Sequence, residues 1–183
     1  WQIPRKNAKS TTAAGVGLYM GTADGEEGAE VYCGATTEDQ AWEVFGPIKK
    51  MVERTPALRQ ALDLQVYSGS ILQTSTGSII QPVVGKPGDG ASPSCAIIDE
   101  YHEHDSPDQF DTMQTGMGAR SQPLLLVTTT AGESLDGPCY NLYEESTKIL
   151  EGIIDDDEVF PLIFGIDEGD DWTTEAALLK ANP

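Results

Sequence analysis

The fold of this chain is decided by the stretch Ile3-Pro4-Arg5-Lys6-Asn7-Ala8-Lys9-Ser10-Thr11. It fits the phosphate-binding pattern GxxxxGK(S/T) at its last two positions, although Ala8 and Ile3 stand where the pattern has glycine. An apolar segment that can end a strand precedes it and a helix-forming segment follows. Because such a loop points backbone N–H groups at an anion, the stretch predicts a phosphate site. Lys9 would contact the outer phosphates and Ser10 would bind Mg²⁺; a capped basic turn is the plain alternative.

A second landmark is the run Ser94-Cys95-Ala96-Ile97-Ile98-Asp99-Glu100. A short apolar run is typical of a strand buried on both faces, and this one ends in two carboxylates. In a P-loop enzyme the first carboxylate supports Mg²⁺ and the second polarises the attacking water. An ordinary strand exit with solvated acids is the alternative. Lys-Ser followed by Asp-Glu, each at the carboxyl end of a predicted strand, favours the nucleotide site.

Three motifs in order carry a family resemblance: Pro4-Arg5-Lys6-Asn7-Ala8-Lys9-Ser10, Ile97-Ile98-Asp99-Glu100-Tyr101-His102 and Thr128-Thr129-Thr130-Ala131-Gly132. Together they resemble the ATPase domain of the large terminase subunit, the DNA-packaging motor of tailed bacteriophages. The resemblance spans nearly all of the 183 residues. The family usually has Gly at the position of Ala8, and we expect the Ala methyl to tighten the loop and lower affinity for phosphate.

The resemblance implies ATP and Mg²⁺ as ligands and gives roles to particular residues. Glu100, Arg5 and Lys9 would be catalytic, while Ser10 and Asp99 would hold Mg²⁺. The nucleotide would be bound by the whole loop: Pro4, Arg5, Lys6, Asn7, Ala8, Lys9, Ser10 and Thr11. The coupling motif that senses the γ-phosphate would be Thr128, Thr129 and Thr130, for which β-favouring threonines before a turn are the plain alternative. Terminase rings also use an arginine from the neighbouring subunit, and three residues remain open for that role: Arg54, Arg59 and Arg120.

Strands alternating with helices predict an α/β fold with a mainly parallel P-loop NTPase sheet, flanked by helices on both faces. The strands are expected at 29–34, 94–98, 123–129 and 159–164. Two short β-like runs, 64–67 and 78–84, predict a small hairpin excursion, and 85–93 is expected to be a connector.

Helix signals complete the alternation. Thr37 and Gln40 form a capping box for a helix that Pro47 should kink or divide. Ser106 is expected to cap a second helix with Pro107 at its first position, ending near Gly116 or Gly118. A third helix is expected around 140–150.

The chain is expected to contain one main domain. Residues 1–171 would form the P-loop ATPase domain, with an N-terminal segment missing, and 172–183 would begin a linker towards an absent C-terminal nuclease domain. The three cysteines, Cys33, Cys95 and Cys139, lack CxxC spacing and are expected to be buried free thiols. No apolar stretch reaches the roughly 20 residues needed to cross a bilayer, which favours a soluble protein.

Charge is the main argument against a DNA motor. Eleven basic residues face 30 acidic ones, a formal net charge of −19, which opposes a general DNA-coating surface. DNA contact would then be confined to a small face or supplied by other subunits. The resemblance implies a homo-oligomeric ring in the bacterial host cytoplasm, with duplex DNA, the portal protein and the small terminase subunit as partners.

We therefore expect ATP hydrolysis that drives duplex DNA into a procapsid. Two alternatives remain open. Asp99-Glu100-Tyr101-His102 also fits a helicase-like DExH ATPase, for which a second motor domain and a basic face would be expected. An acidic scaffold module with an inactive P-loop would suit Ala8 and the charge. A metal cluster at His102 and His104 is a further reading of the acidic segment that follows Asp99.

Overall fold

The structure is a computed structural model that describes residues 1–86, 88 and 90–182. One sheet runs through this part of the chain. Its strands are β1 (Glu30–Ala35), β2 (Leu64–Val66), β3 (Ile71–Gln73), β4 (Ser78–Val84), β5 (Cys95–Ile98) and β6 (Leu124–Val127). Their order across the sheet is β2-β3-β4-β1-β5-β6. Strands β4, β1, β5 and β6 are parallel, whereas β3 is antiparallel to both of its neighbours.

Helices cover both faces of the sheet, as the sequence predicted. They are α1 (Lys9–Thr22), α2 (Glu38–Arg54), α3 (Pro56–Ala61), α4 (Asp108–Gly116), α5 (Pro138–Leu150) and α6 (Glu175–Ala181). Short 3-10 turns span Tyr101–Glu103 and Met117–Ala119. None of the helices in the described ranges is long and apolar enough to cross a membrane.

The core is divided by the alternation of side chains along each strand. Val31 and Cys33 of β1 join the larger cluster with residues of α1 and α2. Tyr32, between them in sequence, joins the cluster on the other face with Met113 of α4. All of β5 is buried, and each large aliphatic side chain that is fully buried contributes about 1.5–3 kcal/mol. Burial of both faces explains why β5 consists of an unbroken run of apolar residues.

The predicted hairpin excursion is wrong for its second half. Strands β2 and β3 do form an antiparallel hairpin at the sheet edge, but β4 lies inside the sheet and pairs in parallel with β1. The side chain of Ile80 in β4 is buried against the first helix, close to Gly21. Burial on α1 therefore places β4 in the main sheet.

The predicted strand at 159–164 is also wrong. The structure has only an isolated bridge there, between Gln2 and Ile163, and a second bridge joins Gln2 to Thr129. Gln2 donates its N–H to the Leu162 carbonyl at 2.8 Å, and Phe164 donates to the Gln2 carbonyl at 2.9 Å. Pro161 has no N–H to extend the ladder.

Two helix predictions need correction. Helix α2 continues through Pro47, so the predicted division does not occur. A proline inside a helix costs about 3 kcal/mol or more, and burial of Val44, Phe45 and Ile48 around it offsets that cost. Ser106 is not the cap of α4, because the helix begins at Asp108 and Pro107 occupies the N-cap position without a side-chain hydrogen bond.

Other expectations agree with the structure. Thr37 caps α2 by accepting a hydrogen bond from the Gln40 N–H, and α4 ends at Gly116. Cys33 and Cys95 are buried free thiols, whereas Cys139 is only half-buried. Within the predicted connector, Pro87 and Asp89 lie outside the described residues, as does Pro183 in the predicted linker.

Candidate active site

The candidate site lies where the carboxyl ends of β5 and β6 meet the start of α1. Asp99 and Glu100 follow β5, Thr128 follows β6, and Lys9 is the first residue of α1. The Asp99 N–H donates to the Gly34 carbonyl of β1 at 3.1 Å, which holds the strand exit in place. Parallel strands bring their carboxyl ends to one edge, and ligands of open α/β sheets bind at that edge.

Asp99 is the centre of the site. Its side chain is only 2 % exposed, and its two oxygens accept from donors on different elements. Ser10 Oγ donates to Oδ2 at 2.6 Å, and Thr128 Oγ1 donates to Oδ1 at 2.5 Å. The backbone N–H of Glu100 also donates to Oδ1, at 3.0 Å. The sequence-predicted loop, acid and threonine motifs therefore converge on one carboxylate.

Lys9 is buried and paired with acids. Its Nζ forms an ion pair with Glu100 Oε1 and lies 3.9 Å from Asp99 Oδ1. A buried ammonium without such partners would cost several kcal/mol. The pairing explains how the lysine tolerates burial, and it places a cation beside both carboxylates.

The loop before α1 has the conformation that the glycine pattern anticipates. Ala8 adopts φ 55° and ψ 24°, in the left-handed region, and Lys6 has φ 74°. A residue with a Cβ pays about 1–2 kcal/mol in this region, so the position of Ala8 suits Gly because of its backbone angles. Arg5, Lys6, Ala8 and Thr11 are exposed on the loop.

Asn7 ties the loop to the last helix. Its Nδ2 donates to the Pro4 carbonyl at 3.2 Å and to Asn182 Oδ1 at 2.8 Å. No periodicity or motif in the sequence predicts this contact, because it joins residues far apart in the chain.

Glu100 is the most constrained residue of the site. It has a left-handed backbone, with φ 50° and ψ 48°, although it is not glycine. Its Oε2 is buried and makes no hydrogen bond within the described structure, although His102 Nδ1 lies 3.3 Å away. Strained backbone at such a residue is typical of functional sites.

The three threonines of the predicted coupling motif are all buried. Thr128 bonds Asp99, as described above. Thr129 Oγ1 accepts from the backbone N–H of His102 at 3.2 Å and donates to the Thr130 carbonyl at 2.8 Å. The segment therefore contacts Asp99 through the Thr128 hydroxyl and His102 through the Thr129 hydroxyl, contacts that β propensity alone does not require.

The three candidate trans arginines lie away from this edge. Arg54 is in the last turn of α2, and Arg59 Nε donates to the Leu64 carbonyl at the start of β2. Arg120 donates to the carbonyls of Ser92 and Gly28, at 2.8 and 3.2 Å, and its side chain is only 14 % exposed. Arg120 therefore lies beside the segments that precede β1 and β5, and Arg59 lies beside the start of β2.

The oxygen donors at Asp99 fit a magnesium ion. Ser10 Oγ and Asp99 Oδ2 are neighbouring hard ligands, and Mg²⁺ is usually bound by one or two carboxylates together with phosphates and water. Across the described ranges, no group of three or more His, Cys, Asp or Glu side chains comes together to hold a metal, so the cluster suggested for His102 and His104 does not form.

This chain is similar to known proteins in sequence and in fold. The family model for the terminase large subunit, ATPase domain, matches residues 1–148. The chain belongs to this family. The large terminase subunit of enterobacteria phage HK97 is 29 % identical over 133 residues, which are 70 % of this chain and 26 % of that protein. Protein YmfN of Escherichia coli is 53 % identical over 96 residues, or 52 % of this chain and 21 % of YmfN.

Solved structures of terminases have the same fold. The crystal structure of the HK97 large terminase matches all of this chain with a TM-score of 0.85 and 25 % identity. The ATPase domain of a Thermus phage large terminase matches 73 % of the chain and 59 % of that structure, with a TM-score of 0.57 and 18 % identity, which shows the fold alone. The chain spans 21 % and 26 % of the curated relatives and 38 % of the HK97 structure.

Proposed function

We propose that this terminase ATPase domain hydrolyses ATP with Mg²⁺ and that hydrolysis drives duplex DNA into a procapsid. The observation that carries the proposal is the convergence on Asp99. Hydroxyls from the loop and from the β6 exit bond the same buried carboxylate, and a buried lysine lies beside it. Phosphoryl transfer requires positioning and charge neutralisation more than covalent chemistry, and these residues supply both.

Each residue has a definite role in the proposed reaction. Ser10 and Asp99 would hold Mg²⁺, which neutralises phosphate charge when bound. Lys9 would contact the outer phosphates, and Arg5, exposed on the same loop, would add a second positive charge. Glu100 would accept a proton from the attacking water and orient it.

Lys9 also suggests how the site responds to nucleotide. In the structure its ammonium pairs with Glu100, the proposed base. A lysine that turns towards phosphate leaves this carboxylate free to accept a proton from water. The Glu100 carboxylate would therefore stay paired with Lys9 until a nucleotide binds.

The partners and location follow from the family and belong to the same proposal. They are duplex DNA, the portal protein, the small terminase subunit and further copies in a ring, in the cytoplasm of the bacterial host. The net charge of −19 favours DNA contact through a restricted face. Arg54, Arg59 or Arg120 of a neighbouring copy would be the trans arginine.

The domain boundary is likewise proposed. Residues 1–171 would be the ATPase domain and 172–183 the start of a linker towards a nuclease domain. The second segment contains α6, and Lys180 near its end contacts Asp170, with Nζ to Oδ2 at 2.7 Å. A short helix held by surface ion pairs suits a connection between domains.

Phosphate release, measured with and without Mg²⁺ and with and without duplex DNA, tests the function. We expect Mg²⁺-dependent turnover that Lys9→Ala abolishes. Lys50→Ala, on the exposed face of α2, is a matched control that removes one lysine away from the site. Binding of Mg–ATP without turnover would instead support the inactive scaffold, for which the strained Ala8 is the structural argument.

A further inference from the structure

We propose that His102 is a positioning residue that holds the Glu100 carboxylate in place after Lys9 has turned to the nucleotide. His102 would link that carboxylate to Thr129 in the β6 exit segment. This inference rests on the proposed function, since it concerns the base of the same reaction.

The two oxygens of Glu100 have different surroundings. Oε1 pairs with Lys9, whereas Oε2 is buried and has no hydrogen-bond partner within the described structure. An unsatisfied buried carboxylate oxygen costs more than a neutral group would, so a nearby donor is expected. His102 Nδ1 lies 3.3 Å from Oε2, close enough for an ion pair, but the two atoms do not have hydrogen-bond geometry.

His102 Nδ1 lies between two oxygens, 3.1 Å from Thr129 Oγ1 and 3.3 Å from Glu100 Oε2. The Thr129 hydroxyl also lies 2.8 Å from the Thr130 carbonyl and 3.7 Å from Cys139 Sγ, so either the hydroxyl or the ring nitrogen can be the donor between Thr129 and His102. A carboxylate oxygen only accepts, so a hydrogen bond from this ring to Oε2 requires the proton on Nδ1. In the proposed arrangement, Nδ1–H faces both oxygens.

The ring is held in this position from several sides. The His102 side chain is 12 % exposed, and its backbone N–H also bonds Thr129 Oγ1. Gly132 lies directly against it, since a Cβ on Gly132 would come within 3.1 Å of His102 Cβ. On the outer side, Nε2 is 3.2 Å from Oε1 of Glu103, which is 52 % exposed. The imidazole is therefore held between Thr129, Gly132 and Glu103, with Nδ1 towards Glu100.

This arrangement suits the step in which Lys9 leaves Glu100. The carboxylate would then lose its ion pair while keeping a strained backbone, and its orientation would depend on the remaining neighbour. A short movement of the His102 ring brings Nδ1–H onto Oε2 and makes the missing hydrogen bond. Displacement of a catalytic group by about 1 Å can cost ~10²-fold in rate, so this support matters for turnover.

The test compares two substitutions of His102 in the intact protein. His102→Leu removes both ring nitrogens with little change in volume, whereas His102→Asn keeps a donor near the position of Nδ1. We expect His102→Leu to lower kcat about 10- to 100-fold, with KM and the Kd for Mg–ATP within about twofold of the parent. His102→Asn should restore part of the rate. Glu43→Gln, on the exposed face of α2, is the matched control, because it removes a surface carboxylate away from the site, and its kcat should stay near the parental value.

Coupling to Thr129 is measured by a double-mutant cycle. Thr129→Val removes the hydroxyl with little change of shape, and its effect on kcat should be non-additive with that of His102→Leu. Parental kcat in His102→Leu would overturn the inference while leaving the proposed function intact. Equal losses of kcat and nucleotide affinity, or a collapsed thermal transition in both His102 variants, would also overturn it by showing a structural role. A parent that binds Mg–ATP but never hydrolyses it would remove the proposed function and this inference together.

Discussion

At the scale of single residues, Ala8 is the clearest departure from the expected site. Its left-handed backbone carries a cost that glycine would not have. We expect Ala8→Gly to stabilise the loop conformation and to tighten binding of Mg–ATP by up to about tenfold, the equivalent of ~1.4 kcal/mol. Calorimetric titration checks this, with Gly88→Ala in an exposed segment as a neutral control. Weaker binding by Ala8→Gly would show that the methyl helps to hold the loop.

Mutations of Asp99 and of Glu100 should affect nucleotide binding and turnover differently, because the two side chains have different surroundings. Glu100→Gln keeps size and removes the charge that polarises water, so we expect Mg–ATP to bind while turnover falls roughly 10²-fold or more. Asp99→Asn removes the acceptor of the Ser10 and Thr128 hydroxyls, and binding should weaken together with turnover. A fluorescent ATP analogue and phosphate release, measured in parallel, decide between these outcomes. Parental turnover in Glu100→Gln would remove Asp99 and Glu100 as the hydrolytic pair.

His104 gives a pH prediction of defined sign. Burial lowers the pKa of His104 below its usual 6.5, and a hydrogen bond to the Asp99 backbone opposes the shift. Below pH 6.5 the unfolded chain therefore binds a proton that the folded protein excludes. The contribution of His104 to the free energy of unfolding is complete above pH 6.5 and is lost as pH falls towards the lowered pKa.

Urea unfolding of the parent and of His104→Gln, measured from pH 7.5 to pH 5, isolates this contribution. The difference between the two proteins should be constant above pH 6.5, and below it the parent should lose stability faster. Parallel curves over the whole range would show that folding does not change the pKa of His104.

At the scale of elements, the sequence predicted those strands and helix ends that depend on local residues alone. The apolar run before Asp99 predicted β5, and the Thr37 signal predicted the start of α2. The position of β4 could not be predicted, because a short β-forming run such as 78–84 suits a hairpin partner as well as a central strand. Its place depends on contacts with α1 far away in sequence. The contact between His102 and Thr129 could not be predicted for the same reason, since the two residues come together only when β5 and β6 pair.

Helix α1 packs on the sheet through glycine, and this gives an element-scale prediction. A Cβ on Gly17 would lie 2.8 Å from Ile97 Cδ1 and 3.3 Å from Ile48 Cδ1, both in the core. Gly15, on the exposed side of the same helix, has nothing within 4 Å of that position. Both changes to Ala favour the helix by up to ~1 kcal/mol, but overpacking at Gly17 costs about 1–3 kcal/mol.

Gly17→Ala should therefore unfold more easily than Gly15→Ala, by about 1–3 kcal/mol in chemical denaturation. Gly15→Ala serves as the control for helix propensity. Equal stabilities would mean that the two isoleucines move aside freely and that α1 does not depend on close approach at Gly17.

At the scale of the whole molecule, the net charge contrasts with the positive charge that the proposed site uses. The buried cation of Lys9 and its acids form one small site, while the chain as a whole carries a net charge of −19. The excess of acidic over basic residues is evident from the sequence, but the composition does not determine where the few basic residues lie in the fold. Arg120 shows why: it is held by Glu26 and by backbone carbonyls, so it contributes to the fold.

The last prediction concerns nuclease activity, which we expect this chain to lack. Metal-dependent cleavage of DNA commonly uses two ions held by a cluster of acids. Within 1–86, 88 and 90–182, no group of three or more His, Cys, Asp or Glu side chains comes together to hold metal ions, and Asp99 is already proposed to bind the single Mg²⁺ of the ATP site. Supercoiled plasmid incubated with the purified chain and Mn²⁺ should stay intact under conditions in which the same preparation releases phosphate from ATP. Asp99→Asn is the control for contaminating nucleases. Plasmid cleavage that persists in this variant, after ATP turnover is lost, does not come from the ATP site. Mn²⁺-dependent nicking that Asp99→Asn abolishes would show that the ATP site also cleaves DNA and would contradict a separate nuclease domain.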